Sequence, residues 1–231
     1  MQRFLWFLFL AGLVFNCGGG TAESTQEETS SDAEMQTVEK AEASSVAVIN
    51  PNLASKEELL ALGVIDGGLA QQILDARPFL NMKDFSKVLS GALDEKAMEG
   101  FFATCFVPLN LNTASEEEFL MVPGVGEKMA HEFEEYRPYK KIAQFRREMG
   151  KYVDEAEIAR YEKYVFVPVE LNTATEEEIL ALPGVGKKMA HEFEEYRPYQ
   201  SMEQFRREIG KYVDDKELAR LERLVYLEEM N

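Results

Sequence analysis

Laid along itself with a shift of sixty residues, the chain matches itself: 111–168 aligns to 171–228 without a gap, and 39 of 58 positions are identical. Twelve consecutive letters, KMAHEFEEYRPY, recur unchanged at 128–139 and 188–199. A repeat of this length means one supersecondary unit copied in tandem, so the fold must be a fold of about sixty residues packed against its own copies. A third copy, at 49–108, has diverged further. Its Asn52, Leu60, Arg77, Pro78, Phe85 and Asp94 fall in register with Asn112, Leu120, Arg137, Pro138, Phe145 and Asp154.

Each unit reads as four short helices. Thr113 or Thr173 caps the first, and the Glu-Glu-Glu run that follows fills the first turn, where the helix dipole favours acids. Pro123-Gly124 and Pro183-Gly184 stop it. In the second helix Met129, Phe133 and Tyr136 recur at helical spacing as the inward stripe, leaving His131 and Glu132, Glu134 and Glu135 on the solvent side. Arg137-Pro138 ends that helix. A third helix carries Phe145 and Met149, and a fourth, capped by Asp154, runs to about Val165. Nothing in the body reads as a strand. A sixty-residue helical unit is marginal alone, which predicts that the copies pack on one another in a row.

The body is preceded by two segments of different composition. Residues 4–15 are an apolar block behind the single basic Arg3, and twelve residues rise only about 18 Å as a helix, short of the ~30 Å a bilayer core demands. That is the length of an exported protein's signal peptide. Cys17 follows the block directly and resembles the acylated cysteine of bacterial lipoproteins, although Val14, Phe15 and Asn16 depart from the usual box. Residues 18–49 are rich in Gly, Ser, Thr and Glu and hold too little apolar surface to offset the entropy of ordering. The chain thus divides into a lipoprotein-type signal peptide (1–16), a lipid-anchored flexible acidic linker (17–49), a degenerate unit (50–110) and two further units (111–170 and 171–231). Cys105, the only other cysteine, lies in an apolar run where the later copies have Val165 and Val225, and reads as core.

Pro-Gly-Val-Gly between two short helices, with LNTA and the glutamate run ahead and YRPY behind, is similar to the helix-hairpin-helix module, and the whole arrangement resembles competence DNA receptors of the ComEA type. The same domain occurs in an extrinsic lumenal subunit of photosystem II. The resemblance implies an all-α fold of three tandem four-helix units and contact with double-stranded DNA along its phosphates. The implied contacts are the backbone of Gly124, Val125 and Gly126 with Lys128, and that of Gly184, Val185 and Gly186 with Lys187 and Lys188. Glycine lets the backbone come close to a phosphate, and the turn opens the positive end of the following helix. In the first unit Gly63-Val64-Ile65-Asp66 replaces this turn, lacks its glycines and sets an acid where the phosphate would lie.

Charge restrains that expectation. The formal net charge is −17, and no unit is basic, whereas phosphate neutralisation by cations supplies most of a nucleic-acid binder's affinity. Two groups of cations, Arg146, Arg147 and Lys151 and then Arg206, Arg207 and Lys211, are either local basic patches or partners for neighbouring glutamates. His131 and His191 are the only histidines. One histidine with Glu135 four residues on is too few ligands for zinc, so no metal or cofactor is expected. No nucleophile elbow, phosphate loop or dinucleotide fingerprint occurs, and the chain reads as no enzyme. Two functions remain: an envelope-anchored DNA binder without sequence preference, or an acidic helical scaffold that docks an unidentified protein.

Overall fold

The computed structural model describes residues 47–228; the leader, Cys17 and almost all of the linker lie outside them. The described residues are helical in the three-by-four arrangement read from the repeats. The first unit holds α1 (Lys56–Ala61), α2 (Gly67–Asp75), α3 (Met82–Leu89) and α4 (Glu95–Phe102). The second holds α5 (Glu116–Phe119), α6 (Glu127–Glu135), α7 (Ile142–Met149) and α8 (Glu155–Tyr161). The third holds α9 (Glu176–Leu180), α10 (Lys187–Glu195), α11 (Met202–Ile209) and α12 (Asp215–Glu222).

The first helix of each unit starts on a capping box, and the cap differs from the one expected. Ser55, Ser115 and Thr175 accept from the backbone of Glu58, Glu118 and Glu178, whose carboxylates reach back to the cap amide. Thr113 and Thr173 also stand three residues before a glutamate, Glu116 and Glu176, but the helices start two residues later than such a box would place them, at the caps Ser115 and Thr175. Thr173 instead donates its hydroxyl to Glu170, 2.7 Å away. Asp94, Asp154 and Asp214 cap the fourth helices.

A second correction concerns strands. β1 (Leu109–Asn110) pairs in parallel with β2 (Val165–Phe166), and β3 (Val169–Glu170) with β4 (Val225–Tyr226). Ile49 makes the equivalent single bridge to Cys105. Two residues are too few to display the alternation by which a strand is recognised. Each pair joins the start of a unit to its end, so every unit is clasped by the residues that flank it in sequence.

The letters shared by all three copies tie the chain to itself. Asn52, Asn112 and Asn172 each exchange two hydrogen bonds with the backbone of Phe79, Tyr139 or Tyr199, at 2.7–3.0 Å. Arg77, Arg137 and Arg197 donate to the carbonyls of Ala54, Ala114 and Ala174, and each precedes a cis proline.

Burial follows the predicted stripes, with Phe133, Phe145 and Met149 fully inside and Met129 and Tyr136 at the margin. The first two units share one continuous core, which Phe106 and Tyr164 bridge edge to face at 5.1 Å. The third unit has a core of its own, to which the second contributes Phe166. The units do not form a simple row, because the third also reaches the first: Arg223 donates to the Pro108 carbonyl at 2.8 Å, and Leu53 lies against Gly184.

Candidate nucleic-acid interface

Between α5 and α6 the chain turns through Gly124 at φ 76°, and between α9 and α10 through Gly184 at φ 71°. That left-handed conformation is open to glycine at little cost. The next residue anchors the turn. Val125 and Val185 are buried, and their amides donate to the carbonyls of Val122 and Leu182 at 3.0 and 3.2 Å. These two amides are therefore committed within the turn, and the valines fix the loop to the core without facing a ligand.

The helix start beyond them is open. Gly126 and Gly186 are the N-caps of α6 and α10, and neither helix has a side-chain cap. A glycine here leaves the first-turn amides to solvent at the positive end of a nine-residue helix. Lys128, Lys187 and Lys188 stand exposed in that first turn, beside an equally exposed Glu127 in the second unit. Lys128 sits 5.6 Å above the Tyr152 ring.

The first unit keeps a glycine that its sequence was expected to lack. Gly63 keeps a left-handed φ of 72°, one position earlier than in the copies, with nothing within 4 Å of where a Cβ would be. A permissive glycine is thus present. What fills the helix start is Asp66, whose carboxylate accepts from the amides of Gly68 and Leu69 at 2.9 and 2.8 Å.

Two arginines missed in the sequence brace the turns from behind. Arg160 of α8 donates to the Pro123 carbonyl, and Arg220 of α12 donates to Pro183 and, at 3.2 Å, to Gly184. Each is held in place by a glutamate one turn earlier, Glu157 or Glu217; the Arg160 guanidinium draws the Glu157 carboxyl below its ordinary range. The matching position in the first unit is Gly100. Their only sequence signal was an Ala-Arg pair in both later copies, and the carbonyl each holds lies 37 positions away.

The cation groups of the third helices are neutralised. Arg146 pairs with Glu162, while Arg147 and Lys151 converge on Glu148. Arg206, Arg207 and Lys211 repeat the arrangement with Glu222 and Glu208. Both histidines are exposed and face a glutamate one turn on, at 4.0 Å for His131 and 3.7 Å for His191.

Comparison with known proteins adds one finding. Residues 165–225 match the family model of the helix-hairpin-helix motif. The matched span runs from the first residue of β2 to the first of β4, so it holds the four helices and the turn of the third unit and all of its clasp but Tyr226. No curated protein and no solved structure matches the chain. The second unit repeats the matched one nearly letter for letter through its turn, and the turn has the same geometry: a left-handed glycine, a buried valine and a glycine N-cap.

Proposed function

We propose that the protein binds double-stranded DNA weakly and without sequence preference, with the hairpins of the second and third units lying against phosphates. One observation carries this reading. α6 and α10 open on uncapped glycines with Lys128, Lys187 and Lys188 exposed in the first turn, whereas the arginines of α7 and α11 are matched to glutamates. Gly-Val-Gly has no polar side chain to read a base edge, so contact is confined to the backbone. With few phosphates engaged, log K should fall against log[salt] with a slope of about −2 to −4.

Filter binding of a mixed-sequence duplex between about 50 and 200 mM salt tests this. Retention at the low end, lost at the high end and abolished by Lys128→Glu, Lys187→Glu and Lys188→Glu together, is the expected result. A wild-type protein that retains no duplex at low salt rejects it.

On the same reading the chain is exported and held at the bacterial cell envelope by an acyl group on Cys17, where it serves in DNA capture. The support is the short apolar leader followed by cysteine. Cys17→Ser should shift the protein from the membrane to the soluble fraction; persistence in the membrane fraction excludes the anchor. The alternative, an acidic scaffold for a protein partner, draws on the net charge of −17 and on the pairing of the α7 and α11 cations, and it takes over if DNA is not bound.

A further inference from the structure

The two intact hairpins differ in what stands in front of them. At Gly124 the space where a Cβ would project meets only Arg160, 3.1 Å from Nη2. At Gly184 the same space is occupied by Leu53 of the first unit: a Cβ there would collide with Leu53 Cδ1 and lie 3.1 Å from Cδ2. The arginine beside this hairpin is also the more buried of the two. Arg220 is 3% exposed, against 28% for Arg160, although the two occupy the same position in near-identical units. Leu53 itself stays 46% exposed, so it is an exposed side chain resting on a turn and not a member of the core. Both counterparts of Leu53 are threonines, Thr113 and Thr173, and neither reaches a hairpin glycine.

We propose that the first unit, having lost its own open hairpin, covers that of the third. Leu53 seated on Gly184 holds the third hairpin away from a phosphate surface, so that duplex DNA is engaged first by Gly124, Gly126 and Lys128 of the second unit. The third hairpin joins only when the 50–54 loop moves off it. This rests on the reading that the hairpins bind DNA, and it reverses the order that counting lysines suggests. A phosphate that approaches Gly184 on the side where a Cβ would project meets an isobutyl group, although the glycine stays exposed elsewhere, whereas the same side of Gly124 has only a cation beside it.

The test is fluorescence anisotropy of a labelled mixed-sequence duplex with the full-length protein, across a salt series. Lys128→Glu should weaken wild-type binding at least about tenfold, and Lys187→Glu with Lys188→Glu less than about threefold. Leu53→Ala should tighten binding about fivefold and steepen the salt slope by about one phosphate's worth, ~0.9. In the Leu53→Ala protein the double lysine reversal should then cancel that gain. Circular dichroism controls for folding, and Leu53→Thr, the residue of both copies, gives the same readout in a side chain already native to the position. Binding that is present but indifferent to both Leu53 variants, or more sensitive to Lys187 and Lys188 than to Lys128 in the wild type, overturns the cover and leaves the DNA reading intact. No binding by any variant at low salt removes both.

Discussion

Cys105 shows what a single residue contributes to a repeat. It pairs with Ile49 where Val165 pairs with Leu109 and Val225 with Val169, so the thiol replaces one apolar side chain in a clasp. Burial pushes its pKa up to about 12, and at neutral pH it stays protonated and unreactive. In a Cys17→Ser protein, a water-soluble maleimide at about pH 8 should leave Cys105 unmodified until denaturant is added. Cys105→Val should shift stability by less than about 1.5 kcal/mol, because the volume is nearly conserved. Asp66 is the opposite case, a residue that changes the character of its unit. Its carboxylate fills the start of α2 by accepting two amides. Asp66→Ala should cost about 1 kcal/mol, read as a lower thermal midpoint.

At the scale of elements, the capping-box glutamates do a second task that depends on their unit. Glu58 caps α1, which no unit precedes among the described residues. Glu118 caps α5 and also accepts from the Met82 amide at the start of α3, at 2.9 Å. Glu178 caps α9 and pairs with Lys141 of the second unit at 2.7 Å. The ion pair with Lys141 and the cap amide of Thr175 hold the Glu178 carboxyl below its ordinary range. A depressed folded-state pKa contributes stability that is complete above the unfolded value and lost as pH falls through the folded one. The tie between second and third units should therefore weaken in acid, below about pH 4.3. Glu178→Gln should remove that acid-dependent part when the third unit's protection from hydrogen exchange is followed against pH. Helix number, order and the inward residues of α6 and α7 were legible in the sequence, because 3.6-residue periodicity and twelve unchanged letters declare them. The caps of α5 and α9 were misplaced by two residues because two hydroxyl-bearing candidates, Thr113 and Ser115 or Thr173 and Thr175, precede each helix. The clasps were invisible at two residues per strand. The arginine braces and the Leu53 seat were out of reach, since each joins residues far apart in sequence and the later copies have threonine where the first has Leu53.

For the whole molecule the question is how many cooperative parts three copies make. The repeat suggests three equal parts, but the cores divide the chain as two and one: Phe106, Tyr164 and their neighbours run the first two units together, and the third closes around Phe205, Phe193 and Leu221. What fixes the third unit to the others is mostly polar or lies at the edge. Lys140 pairs with Glu228 and Lys141 with Glu178, all four partly or well exposed, and exposed pairs of this kind contribute about 0–1 kcal/mol each. Arg223 is the exception. It is half-buried, its pKa is lowered to about 10 by desolvation, and it rests against the Phe166 ring at 5.3 Å while donating to Pro108. Docking then depends on one half-buried cation and Phe166, and sub-global opening should begin there. Native-state hydrogen exchange in rising urea should find the amides of 171–226 sharing an opening of lower free energy than the one shared by 49–165. Arg223→Ala should lower the first without moving the second, and by more than Lys140→Ala or Lys141→Ala. A single opening common to all amides from 49 to 226 would mean that Phe166 and Arg223 couple the two cores fully. The third hairpin could then be uncovered only by movement of the 50–54 loop itself, never by release of the third unit.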